Sequence, residues 1–182
     1  MAKINLKEKI KIPEGVEVVM EPLILRVSGP NGSLERKYYY PGLIVKKEDS
    51  SILLEYANAS KKEKTVLKTL KAHIKNMLIG AKGDFTYMLK ICSGHFPMTV
   101  NHEGSKIVIK NFLGERVPRI AKILDGVKVQ IDKDIITLSG SSIEAVGQSA
   151  GNLEKSTRIT NRDRRRFQDG IYITSKAEEP KE

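Results

Sequence analysis

Along the first half of the chain, apolar and polar residues alternate in short runs, VEVVM, LILRVS, SLERKYYY, LIVKKE and SILLEYA. A period of two is the signature of strands with one face toward a core. The glycines of GPNG (29–32), between two of these runs, suit a hairpin turn. The period then changes. Val66, Leu67, Leu70, Ile74, Met77 and Leu78 recur at helical spacing behind Ser60-Lys-Lys-Glu63, a capping-box pattern, and Gly80 is expected to end the helix. The second half repeats this order: FTYMLKIC, MTVNHE, KIVIKNF, VKVQI and IITLSG read as strands. Ser141-Ser-Ile-Glu144 then opens a helix carrying Ile143, Val146, Ala150 and Leu153.

The repetition extends to individual letters. Shifting the chain along itself by 84 residues aligns Pro13 with Pro97, Val16 with Val100, LILR (23–26) with IVIK (107–110), Gly42 with Gly126, Val45 with Val129, Ile52 with Ile136 and Leu54 with Leu138. A tandem duplication follows, in which each half is a small antiparallel sheet covered by its own helix, an α+β architecture. The expected division is 1–83 for the first domain, 84–157 for the second, 158–175 for an arginine-rich extension and 176–182 for a disordered tail.

Composition narrows the function. The 182 residues carry a formal charge of +10, which attracts polyanions, either nucleic acid or an anionic membrane surface. No stretch approaches the roughly 18 apolar residues of a membrane span, and MAKINLKEKIKI alternates Lys with apolar residues rather than forming a signal-peptide core. A soluble intracellular protein is expected. The single cysteine, Cys92, reads as a small core residue of a strand.

Catalytic chemistry finds little support. His73, His95 and His102 lack the partners of a metal-ligand set, the carboxylates are scattered, and no nucleophile, phosphate loop or nucleotide fingerprint is present. Neither a cofactor nor a small-molecule substrate is expected. IGAKG (79–83) resembles a KH-type glycine loop in letters, but a strand pattern follows it, which favours a helix end with a linker. Lys64, Lys68, Lys71 and Lys75 share one face of the first helix, either as a ridge toward phosphate or as a solvated face. Gly147, Ser149, Ala150 and Gly151 make the second helix nearly bare. That suits either close approach by a foreign backbone or tight packing on its own sheet.

Arginine is distributed unlike lysine. Five of the nine arginines, Arg158, Arg162, Arg164, Arg165 and Arg166, fall between residues 158 and 166. Guanidinium offers a planar fork of donors that holds phosphate bidentately and stacks on bases, so this enrichment points to polynucleotide. Phe167 and the apolar run Gly170-Ile171-Tyr172-Ile173 follow directly and need something to pack against. The cluster therefore reads as an anchored clamp rather than a free tail or a transport signal.

The duplicated layout, GPNGSLERK, HFPMTV, NFLGER and above all NRDRRRFQDGIYI resemble the large-subunit ribosomal protein family called L-six in bacteria and L-nine in the eukaryotic cytosol. The similarity runs from about residue 8 to residue 174. The Pro-Tyr-Lys-Gly-Lys-Gly type of ending found in bacterial members is absent, and the compact length leans archaeal. The resemblance implies a non-catalytic component of the cytoplasmic ribosome, bound to large-subunit rRNA near the stalk base and the factor-binding region, beside neighbouring ribosomal proteins. It implies RNA contact by Lys155, Arg158, Arg162, Arg164, Arg165, Arg166 and Phe167, and further contact by Ser93, Gly94, His95 and Asn111. A non-ribosomal RNA chaperone or assembly factor would share the same basic surface.

Overall fold

The computed structural model, which describes residues 4–178, separates between Gly83 and Asp84 into two units, each with its own core. In the first, strands β1 (Ile4–Lys11), β2 (Glu17–Met20), β3 (Ile24–Gly29), β4 (Gly32–Lys37), β5 (Leu43–Glu48) and β6 (Ser51–Ala59) precede helix α1 (Lys61–Lys82). They form two antiparallel sheets in the orders β1-β6-β5 and β2-β3-β4. Leu25, Val27, Ile52 and Leu54 point inward from the strands and meet Leu67, Leu70 and Ile74 of α1, all essentially buried. Strand β1 comes from the Lys-alternating start of the chain and adds an element to those expected from periodicity.

Helix α1 starts as its capping box predicts: the Ser60 hydroxyl accepts from Lys62 N at 3.3 Å and Glu63 accepts from Ser60 N at 2.8 Å. Its end differs from the expectation. Gly80 is buried inside the helix, which continues to Lys82 with Gly83 as its cap, so IGAKG is helix rather than linker. The reason lies in the GPNG hairpin. Asn31 donates through its backbone N–H to the Ala81 carbonyl at 3.1 Å and through its side chain to the Gly80 carbonyl at 3.1 Å, satisfying groups that a helix end leaves open. A Cβ on Gly29 would collide with the Ala81 carbonyl, so glycine at that position permits the contact.

The second unit contains β7 (Phe85–Cys92), β8 (Thr99–Glu103), β9 (Lys106–Lys110), β10 (Arg119–Lys122), β11 (Lys128–Asp132), β12 (Ile135–Gly140), helix α2 (Ile143–Ser156) and β13 (Gly170–Glu178). Its sheets run β11-β12-β7-β13 and β10-β9-β8. The duplication is visible in the pairing. Val45 faces Leu54 in the β5–β6 hairpin and Val129 faces Leu138 in β11–β12, in the 84-residue register. Gly42 and Gly126 occupy the same left-handed conformation, φ 78° in each.

In the other hairpin the register slips by two. The buried Leu25 and Val27 of β3 correspond to the buried Ile107 and Ile109 of β9, which lie 82 residues further on. Side chains alternate with period two, so a slip of two leaves the same face inward and the apolar letters still align.

Two other expectations change in this unit, and one open alternative is decided. The segment 158–175 is not an appendage, because β13 pairs with β7, Ile171 opposite Ile91 and Tyr172 opposite Lys90, and Ile171 is fully buried. The expected tail boundary at 176 falls inside that strand, and residues 179–182 lie outside the described residues. Helix α2 is capped by Ser142 and turns its small residues inward: Ser149 and Ala150 are fully buried, the Ser149 hydroxyl accepts from Leu124 N at 3.0 Å, and a Cβ on Gly147 would press on the Tyr87 hydroxyl. Packing on its own unit therefore explains those residues, and only Gly151 faces open space.

Candidate nucleic-acid interface

Helix α2 ends at Ser156, where its last carbonyls need donors and favour a cation. Arg119 on β10 supplies both. Its guanidinium donates through Nη1 to the carbonyls of Ser156 and Arg158 at 2.9 Å each, lies 4.2 Å from the Phe112 ring centroid, and forms a two-pronged pair with Glu115 at 2.8 and 2.6 Å. The hydrogen-bonded guanidinium holds the Glu115 carboxyl below the ordinary carboxylate range against the opposing effect of burial. The arginine segment is thus fastened where it leaves the helix.

Within the segment, Asp163 organises a turn. Its carbonyl accepts from the N–H groups of Arg166 (3.1 Å) and Phe167 (2.9 Å), and its carboxylate accepts from Arg165 N (2.9 Å) and pairs with the Arg165 guanidinium (2.9–3.2 Å). That turn throws successive arginine side chains in different directions. Phe167, half-buried against the core, carries the Arg162 guanidinium 4.9 Å from its ring centroid and stacks on His95 at 4.7 Å.

The far end is fastened by Asp169, only 3% exposed, and by β13. Asp169 accepts from Gly94 N (2.5 Å), His95 N (3.0 Å) and His95 Nδ1 (2.5 Å). Burial pushes its carboxyl pKa up, but the His95 N–H, the His95 ring and the Gly94 N–H together outweigh that and hold it below the ordinary value. Two residues on, Ile171 N donates to the buried Thr157 hydroxyl at 2.9 Å. The Tyr172 hydroxyl donates to the Gln168 carbonyl at 3.1 Å.

Tyr172 lines both of two depressions. One, of about 680 Å³, is lined by Ser93, Gly94, His95 and Arg166 among others. The second, of about 390 Å³, is lined by Lys155, Arg158 and Arg164 with Glu154, Thr157 and Ile159. Residues far apart in sequence, 93–95 and 166, are brought together, while the neighbours Arg164 and Arg166 line different depressions.

Other expected site residues fall elsewhere. Arg165 is exposed but paired with Asp163. Asn111, in the left-handed conformation with φ 58°, is exposed, donates to the Pro97 carbonyl at 2.9 Å and lines neither depression. In the first unit Lys64, Lys68 and Lys75 are exposed along α1, whereas Lys71 is half-buried and bonded to Glu8 of β1 at 2.6 Å, which removes it from the lysine face. Cys92, expected in the core, is half-buried at the end of β7 and borders the larger depression. Arg119, Thr157 and Asp169 carry no signal in the sequence, and Tyr172 stands out there only as part of an apolar run. Arg119 lies outside the arginine cluster, and Asp169-Gly170 reads as an ordinary turn.

A family model described as ribosomal protein L6 matches residues 12–83 and 96–170, one stretch in each unit. The chain belongs to the ribosomal protein L6 family. Among similar proteins, the large ribosomal subunit protein uL6 of Methanobrevibacter smithii is 46% identical over 171 residues, covering 94% of this chain and 96% of the relative. Those of Aeropyrum pernix and Methanosarcina mazei are 41% and 42% identical and cover 95% of this chain, with 96% and 98% of their own lengths. These relatives are archaeal. An L6-family chain is a structural ribosomal protein and not an enzyme.

Proposed function

We propose that this L6-family chain is a structural component of the large subunit of cytoplasmic ribosomes. There it binds large-subunit rRNA near the stalk base and factor-binding region and stabilises its tertiary structure. One observation carries the reading: arginines of a short segment fastened at both ends line two depressions that share Tyr172. Closely spaced phosphates of folded RNA are the ligand such a surface fits. Guanidinium forks hold phosphate bidentately, and a pre-ordered segment loses less entropy on binding than a free tail. Contacts are mainly to backbone and shape, because paired RNA offers side chains little base information in its deep groove.

On this reading Lys155, Arg158 and Arg164 hold phosphate in one depression. Arg166 does so in the other, beside Ser93, Gly94 and His95, while Phe167 and Asp169 keep the segment in place. The test is sedimentation with salt-washed large subunits, together with crosslinks from residues 158–167 mapped on the rRNA. Stoichiometric retention with crosslinks at the stalk base is expected. Release on washing would favour a transient assembly factor, and crosslinks elsewhere would refute the location.

A further inference from the structure

The two ring nitrogens of His95 are in different situations. Nδ1 lies 2.5 Å from Asp169 Oδ2, while Asp169 Oδ1 accepts from Gly94 N and His95 N. A buried carboxylate that accepts two backbone N–H bonds is favoured as the anion, and an anion has no proton to give. Nδ1 must therefore carry the hydrogen, which in a neutral imidazole leaves Nε2 a bare acceptor. No hydrogen bond joins Nε2 to any described residue. The ring itself is held twice, by Asp169 and by stacking on Phe167 at 27° between planes, yet its side chain stays 41% exposed at the edge of the larger depression.

We propose that His95 reads a ribose: its Nε2 accepts a hydrogen bond from a 2′-hydroxyl of the bound RNA, and Asp169 is the positioning residue that fixes the tautomer. The inference rests on the RNA-binding reading above and adds to it how RNA is told from DNA. Arginine and lysine side chains, which supply the other contacts of this surface, only donate; they suit phosphate and cannot accept from a hydroxyl. Arg166 borders the same depression and is placed for the phosphate attached to that ribose. Gly94, with no side chain, leaves room for the sugar. The 2′-hydroxyl is the group that distinguishes the two nucleic acids at a given position.

The test uses the full chain and a large-subunit rRNA transcript sparsely doped with 2′-deoxynucleotides, partitioned into bound and free fractions. The wild type should show at least one position where the deoxy substitution weakens binding, and H95F, which keeps the ring stack, should lose that position from its map. H95F should also bind the all-ribose transcript roughly three- to tenfold more weakly, the worth of one hydrogen bond. An H95F map identical to the wild type's overturns the inference while leaving RNA binding standing. Failure of the wild type to bind overturns the RNA reading and the inference with it. Nitrogen-15 NMR of the His95 ring gives an answer that needs no mutant to fold: the Nδ1–H tautomer is expected in the free protein, and an Nε2–H tautomer would contradict the assignment. In D169N the ring should become a mixture of tautomers.

Discussion

In the first unit β1 is the outermost strand of its sheet, whereas in the second the corresponding strand, β7, has β13 paired along its far edge. The hairpins β5–β6 and β11–β12 are otherwise built alike, down to the left-handed glycines at 42 and 126, and a helix follows each. The first unit's helix shows lysines to solvent. The second unit's helix leads into an arginine segment pinned by Arg119 at one end and by Asp169 and β13 at the other. Duplication thus supplied a scaffold twice. What sets the second copy apart is one added strand, which turns the connection from α2 into a held surface. Charge alone does not make the difference, since both copies are rich in cations; being held in place does.

The comparison can be broken most forcefully through the cores. Leu54 and Leu138 are equivalent and fully buried, so Leu54→Ala and Leu138→Ala should each cost about 2–5 kcal/mol in urea unfolding. Only Leu138→Ala should weaken rRNA binding at temperatures where the variant is partly unfolded. Equal loss of binding from Leu54→Ala would deny the second unit its special role.

A smaller effect sharpens the pinning. Asp169→Asn should cost about 2–3 kcal/mol, because three donors lose an anionic acceptor. The folded carboxyl is held below its ordinary value, so its stabilising contribution is complete above the unfolded value of about pH 4 and is lost as pH falls through the folded value. The gap between wild type and variant should be widest near neutrality and close on acidification; a gap constant with pH would remove the ionic basis of the pin. The smallest effect belongs to the first unit. Ser60→Ala removes the α1 capping box and should cost about 1 kcal/mol in a denaturant titration without changing rRNA affinity.

Much of this was legible in the sequence because it is local. Period-two runs gave the central strands, Ser60 and Glu63 gave the start of α1, and the clustering of arginine singled out the segment. What was not legible depends on partners distant in the chain. Gly80 reads as a helix stop until Asn31, 49 residues away, is seen capping its carbonyl and that of Ala81. The start of the chain carries charges at alternate positions, and only pairing with β6 makes it a strand. The bare face of α2 fits either a partner backbone or its own sheet by letters alone, and only the contacts of Ser149 with Leu124 and of Gly147 with Tyr87 decide for its own unit. Asp169 sits in a dipeptide common to turns, and its meaning comes from Gly94 and His95, some 75 residues earlier.

On the proposed function, held arginines rather than cations in general make the RNA contact. The most direct test is the slope of log affinity for large-subunit rRNA against log salt, measured for wild type, for Arg164, Arg165 and Arg166→Ala together, and for Lys64, Lys68 and Lys75→Ala together. The arginine variant should lose affinity and about one unit of slope per lost phosphate contact, while the lysine variant, with the same change of charge, should stay close to wild type. Equal losses in the two variants would contradict the claim.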